Sequence, residues 1–164
     1  MSDPNALQIG VVNNRAALQL KTWISGRTSP CFLPPRVAQH CRLLAVAPGE
    51  WLLVSDTVAS DTLREHVRHV HDQGVAAVSG SPGLAAIELE GCAARDVLAK
   101  SGGLDLNPKR FPVGSCTRTW LARLPVFIDY LDEKPRFELY VACSYLPYVC
   151  SWFRVQADFT DSVQ

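Results

Sequence analysis

Short apolar runs alternate along the chain with polar or proline-containing breaks, and the period within each run sets its element. Ile9, Val11 and Val12 precede a polar Asn13-Asn14-Arg15 turn, and Ala17, Leu18 and Leu20 follow it, so residues 7–23 read as two short strands joined by a turn. Residues 25–36 contain three prolines and one glycine, which prevents a regular element and predicts an extended arm. Residues 43–46 and 51–54 are apolar and flank Ala47-Pro48-Gly49-Glu50, where proline fixes one φ and glycine is free to take a positive one; this is a hairpin. Over residues 60–73, Leu63, Val67 and Val70 fall at i, i+4 and i+7. Asp61 or Thr62 is placed to cap the start and Gly74 to end it, which predicts an amphipathic helix. Residues 75–79 and 85–90 then read as a second hairpin around Gly80-Ser81-Pro82-Gly83, with Ile87 and Leu89 alternating against Glu88 and Glu90.

Residues 92–100 form a short helical pattern. Ala94, Val97 and Leu98 lie on one side, Arg95 and Asp96 on the other, and Gly102-Gly103 stops it. Residues 117–124, 126–130 and 137–143 are rich in β-branched, aromatic and leucine side chains. The breaks fall at Pro125 and at Asp132-Glu133-Lys134-Pro135, so an antiparallel meander is expected. Behind a Ser144 cap, Tyr145, Leu146, Val149, Trp152 and Phe153 stand at i, i+1, i+4, i+7 and i+8, the pattern of a heavily apolar closing helix. Paired strands with helices between them predict an α+β fold, a mostly antiparallel sheet with helices packed on one face. A length of 164 residues predicts one domain, 1–164, with the arm at 25–36.

Composition narrows the function classes. The chain is 48% hydrophobic and 20% charged, the range of a globular protein rather than a disordered one. Sixteen basic residues balance sixteen acidic ones, so no long-range field steers it onto nucleic acid or an anionic membrane. No run approaches the roughly 18 apolar residues of a membrane helix, and Met1-Ser2-Asp3-Pro4-Asn5 has neither the basic nor the apolar part of a secretory signal; a cytoplasmic location is expected. The six cysteines, Cys31, Cys41, Cys92, Cys116, Cys143 and Cys150, include no Cys-x-x-Cys pair. They are expected to be free thiols buried as small hydrophobes.

The sequence offers few chemical constellations. His66, His69 and His71 lie close together, but on a helix His66 and His69 are about 60° apart while His71 lies about 140° from His66, so the three do not converge on one ion. Gly80-Ser81-Pro82-Gly83 and Ser101-Gly102-Gly103 lack the Lys-Ser/Thr of a phosphate loop. The acid pairs Glu88 with Glu90 and Asp129 with Asp132 fit half-solvated strands as well as they fit proton transfer, and no Gly-x-Ser-x-Gly elbow exists.

Residues 91–123 carry three pieces in close order: Gly91-Cys92-Ala93-Ala94-Arg95-Asp96-Val97-Leu98, then Leu104-Asp105-Leu106-Asn107-Pro108-Lys109-Arg110-Phe111-Pro112, then Thr119-Trp120-Leu121-Ala122-Arg123. Ala47-Pro48-Gly49-Glu50-Trp51-Leu52-Leu53, with Ala47 where glycine is usual, and Ser144-Tyr145-Leu146 with Trp152-Phe153 complete the set. Together they resemble the gamma subunit family of heterotetrameric sarcosine oxidase. The resemblance implies a fold similar to the N-terminal region of the glycine-cleavage T-protein, an aminomethyltransferase. It implies a non-catalytic chain with no cofactor or metal of its own, in a complex that oxidatively demethylates sarcosine or a related N-methylated amine. Alpha, beta and delta-like partner subunits would carry FAD, FMN, NAD, folate and zinc. Pro108 and Pro112 stiffen a loop that is expected to present Phe111, and a rigid loop loses little entropy on docking. Leu104, Asn107, Arg110, Phe111 and Pro112, with the arm around Pro30, Pro34 and Pro35, are therefore the expected subunit contacts. The alternative is an independent folate-binding, one-carbon transferase fragment of T-protein type, for which Asp105 or Asp129 would face the pterin.

Overall fold

The computed structural model describes residues 7–13, 15–22, 38–69, 74–80 and 83–161. Among them are nine strands: β1 (Gln8–Val12), β2 (Ala16–Thr22), β3 (Arg42–Ala47), β4 (Glu50–Ser55), β5 (Val75–Gly80), β6 (Leu84–Glu90), β7 (Cys116–Leu121), β8 (Leu124–Asp132) and β9 (Arg136–Ala142). The helices are α1 (Ser60–His69), α2 (Ala94–Ser101) and, after a 3-10 turn at Cys143–Tyr145, α3 (Leu146–Asp161). The arm at 25–36, Val70 and His71 lie outside the described residues. The α+β class holds, with the strands in two sheets rather than one.

The chain divides into two compact units, Asn13–Ala85 and Met1–Val12 with Ala86–Gln164. In the first, the sheet order is β3-β4-β2-β5. Leu18 and Leu20 of β2, Leu53 of β4 and Val75 of β5 form a core with Leu63 and Val67 of α1. The β3–β4 hairpin turns through Gly49 at φ 71°, where Thr22 N donates to Gly49 O at 2.9 Å. The expected turn chemistry is thus in place.

In the second unit the order is β1-β6-β9-β8-β7, and β1–β6, β7–β8 and β8–β9 are antiparallel. One face is apolar: Ile87 and Leu89 of β6, Val126, Ile128 and Tyr130 of β8, Phe137, Leu139 and Val141 of β9. Ala94, Val97 and Leu98 of α2 and Val149 and Phe153 of α3 join the same core, so both helices cover that face, as the 3.6-residue period of each requires.

Three readings need correction. Residues 75–79 and 85–90 are strands but not a hairpin, because β5 lies beside β2 while β6 lies between β1 and β9. The two strands of residues 7–23 are present as expected, and they too enter different sheets. The physical reason is shared: Val75 and Leu18 serve one core, Ile87 and Leu89 the other, and chain proximity yields to where the apolar face is buried. The β7–β8 break falls at Ala122-Arg123, both at positive φ (48° and 71°), and Pro125 sits within β8 at an exposed position opposite Trp120. Leu121, 1% exposed, pairs with Leu124, and that burial fixes the turn. Finally, Ser144 lies inside the 3-10 turn, and α3 begins at Leu146.

Candidate functional site

The segment between α2 and β7 has no strand or α-helix of its own, yet its shape is fixed from within. Asp105 Oδ1 accepts from Asn107 N and Asn107 Oδ1 from Lys109 N, each at 3.0 Å. Asn107 O accepts from the N–H groups of Arg110 and Phe111, both at 2.8 Å. Side-chain carboxyl and amide groups that replace backbone partners in this way hold a turn that neither helix nor sheet would satisfy. The far end is tied to β8, where Gly114 N donates to Tyr130 O (2.8 Å) and Tyr130 N to Ser115 O (3.0 Å).

Beneath the loop lies a stack. Phe111 faces Tyr130 with ring centroids 6.4 Å apart, and Tyr130 faces Phe137 at 4.6 Å. The Arg95 guanidinium lies 4.8 Å from the Tyr130 ring and 5.5 Å from the Phe137 ring, and its Nη1 donates to Leu106 O. One side chain of α2 thus binds the core aromatics and the loop backbone together. Nothing in the apolar spacing of α2 marks Arg95, since Arg95 and Asp96 read alike as the polar side of a helix.

The expected contact residues divide. Phe111 is 6% exposed and belongs to the core, so the loop does not present it; the aromatic ring anchors the loop from below. Leu104 packs partly against the same core. Asn107, Arg110 and Pro112 are exposed, with Arg110 Nε 3.3 Å from Asp105.

The two carboxylates considered for folate are not brought together in one site. Asp105 is on the exposed loop with Arg110, whereas Asp129 is 1% exposed in mid-β8, in register with the equally buried Glu138 of β9. Glu88 accepts from Arg136 Nε (3.0 Å) and Nη2 (2.7 Å), and this carboxylate raises the guanidinium further above its ordinary value. Asp132 Oδ1 accepts from Lys134 N in the β8–β9 turn. The acid pairs of the sequence are thus ladder and turn partners.

In the other unit, two open cavities of about 400 Å³ and 210 Å³ share Arg15 and Asp56, an ion pair at 3.5 Å. The smaller is lined also by His40, Cys41 and Ser55. Ser55 Oγ donates to His40 O at 2.6 Å and accepts from the N–H groups of Thr57 and Val58, which holds the entry to α1. Burial pushes the Cys41 thiol up; the Ser55 hydrogen bond opposes this and the Asp56 charge adds to it. Cys41 is a poor nucleophile at neutral pH. His66 Nδ1 donates to Thr62 O (2.6 Å), and among the described residues no three His, Cys, Asp or Glu side chains gather around a common point. None of the five described cysteines is in a disulfide; Cys41 and Cys150 are half-buried and pack against the two cores as small hydrophobes, Cys116 is half-buried, and Cys92 and Cys143 are exposed, contrary to the expectation of burial.

No helix is long and apolar enough to cross a membrane among the described residues. Comparison with known proteins gives one family match, the sarcosine oxidase, gamma subunit family, over residues 23–158. No curated protein matches the chain. Among solved structures, a chain of heterotetrameric sarcosine oxidase from Corynebacterium sp. U-96, in complex with pyrrole 2-carboxylate, superposes with a TM-score of 0.75 at 23% identity, covering 95% of this chain and 85% of that one. That likeness extends the shared fold over both units. With its family pattern matched from residue 23 to residue 158, the chain belongs to the sarcosine oxidase gamma subunit family.

Proposed function

We propose that the chain is the non-catalytic gamma subunit of a multi-subunit, flavin-dependent oxidoreductase that oxidatively demethylates sarcosine or a related N-methylated amine, and that it supports assembly with the large catalytic subunits. The observation that carries this reading is the family match across both units. The likeness in fold to a chain of a heterotetrameric sarcosine oxidase agrees with it. In this reading FAD, FMN, NAD, folate and zinc belong to alpha, beta and delta-like partners in the cytoplasm, and the flavin supplies the two-electron oxidation of the amine. The loop at 104–112 is a structural strut: Arg95 and Phe111 hold it, and Asn107, Arg110 and Pro112 are the members it offers to a partner. We further propose that the fold is similar to the N-terminal region of the glycine-cleavage T-protein, which the layering of helices on antiparallel strands supports. Among the described residues no geometry favours the alternative, an independent folate-binding transferase fragment, because Asp105 and Asp129 line neither cavity.

The test is capture of the tagged chain from its native host followed by an absorbance spectrum and mass analysis. Large subunits that co-elute with flavin absorbance and oxidise an N-methylated amine support the proposal. A colourless single chain that binds folate refutes it in favour of the transferase fragment.

A further inference from the structure

Residues 116–128 and 143–157 contain three arginines, Arg118, Arg123 and Arg154, and no aspartate or glutamate, in a chain whose charges cancel as a whole. The first stretch is β7, its turn and the start of β8; the second is the 3-10 turn and most of α3. The two meet, since Tyr148 Oη donates to Ala122 O at 3.4 Å. α3 has two sides here. Val149 and Phe153 are buried, while Tyr148, Ser151 and Val155, at i, i+3 and i+7, form an outward stripe with Arg154 beside it.

The exposed members of this face are unusual for a protein surface. Tyr148 is 52% exposed, Val155 50% and Tyr145 43%, and Arg123 is exposed in the turn, whereas Trp120, 64% exposed and next to the core residue Leu121, lies on the side of the sheet away from α3. Tryptophan, tyrosine and arginine are the residues that concentrate binding energy in protein interfaces. The loop at 104–112 is poorer by this measure: its aromatic ring is buried, and Arg110 is paired with Asp105.

We infer that the β7–β8 turn and the outer stripe of α3, built on Arg123, Tyr145, Tyr148 and Arg154, form the principal docking face for a partner subunit, whose matching surface has an apolar pocket rimmed by carboxylates. The inference rests on the subunit reading above. Charge selects this occupant. A second copy docked about a two-fold axis at the β7–β8 turn brings Arg123 against Arg123, and residues 116–128 hold no carboxylate to answer it. An anionic membrane calls for the four to eight clustered cations of a lipid-binding segment, whereas Arg154 is the lone cation of the α3 stretch at 146–157. An acidic-rimmed protein surface answers both the guanidiniums and the aromatic rings.

The test uses the full-length tagged chain co-expressed with the flavin-bearing subunits, reading flavin absorbance per captured chain. The double variant Arg123→Glu with Arg154→Glu keeps the turn and the helix, and is expected to lower captured flavin at least about tenfold. Tyr148→Ala is expected to lower it as well. The control charge reversal Lys134→Glu, exposed in the β8–β9 turn at the other end of β8 from Arg123, should stay within about twofold of the unaltered chain. Hydrogen exchange on the assembled complex should show new protection over 116–128 and 143–157. Full capture by the Arg123/Arg154 variant, or new protection confined to other segments, overturns the inference while leaving the subunit reading intact. So does binding of the free chain to phosphatidylserine vesicles, or self-association through this face. An unaltered chain that captures no flavin overturns the subunit reading and this assignment with it.

Discussion

Replacing Arg95 by methionine should loosen the 102–115 segment and lower the stability of the unit that carries it. The methionine keeps the aliphatic stem and its packing but removes the guanidinium, and with it the bond to Leu106 O and the contacts over the Tyr130 and Phe137 rings. A hydrogen bond from a charged donor contributes about 1.5–3 kcal/mol. Each partly exposed cation–π contact adds about 0.5–1 kcal/mol. Because Arg95 is half-buried, part of this is recovered by water, and a net loss of about 2–4 kcal/mol is expected. For a chain of this length that lowers the melting temperature by about 4–16 °C. Arg95→Lys keeps the charge without the planar fork and should fall between the two. The assay is a thermal melt of the full chain paired with hydrogen exchange, where the amides of Arg110 and Phe111 report on the loop and those of β4 serve as the reference. A melt within about 1 °C of the unaltered protein, with unchanged exchange at 104–112, would refute the latch.

Other substitutions test the remaining physical claims. Gly102 has an extended φ of −154°, so its role is room rather than conformation: a Cβ there would lie 2.4 Å from Trp120 O. Gly102→Ala should cost about 1–3 kcal/mol, whereas Gly103→Ala, with open space around it, should be nearly neutral; denaturant melts of the pair decide it. Ala122→Asn with Arg123→Gly places the residues that positive φ favours at both centres of the turn and should stabilise by about 1–2 kcal/mol, read as a higher denaturant midpoint. For Cys41, whose thiol is pushed up by burial, the folded state favours the neutral form. Its contribution is complete below the unfolded value of roughly 8.5 and is lost as pH rises through the higher folded one, so stability should fall on the alkaline side and Cys41→Ala should flatten that fall. At pH 8, site-resolved alkylation should modify exposed Cys92 and Cys143 at least about tenfold faster than Cys41.

The pattern of apolar positions was sufficient for the elements because each was read from burial on its own face. Ala94, Val97 and Leu98 on α2, Leu63 and Val67 on α1, and Val149 and Phe153 on α3 are buried where their spacing puts them. Sheet membership was not legible in the same way. A strand's period tells which side is apolar, not which core receives that side, and so β5 and β6, adjacent in sequence, could be read as partners although their cores differ. Pro125 misled for a related reason: proline lacks an N–H but is accepted at an exposed position of β8, while the turn is set two residues earlier by the pairing of Leu121 with Leu124. Arg95 and Phe111 show the limit at the site. Phe111 stands in the pattern that carries the resemblance and Arg95 only at one of its unspecified positions, and whether an aromatic ring in a proline-flanked loop points outward or inward depends on the floor beneath it. Here that floor is Tyr130, a distant residue of β8.

The turn at Ala122-Arg123 brings stability and recognition into opposition. Two non-glycine residues hold positive φ there, a conformation that costs about 1–3 kcal/mol at each, and a short Asn-Gly sequence would relieve it. Pairing of Leu121 with Leu124 and the Tyr148 bond to Ala122 O hold the turn in place, so the strain persists without the strands separating. What an Asn-Gly turn lacks is the arginine. If Arg123 is a docking residue, the two effects of the stabilising variant must separate: Ala122→Asn with Arg123→Gly should melt later than the unaltered chain and capture less flavin-bearing partner. A variant both more stable and fully competent in assembly would show that the strained turn serves the fold alone.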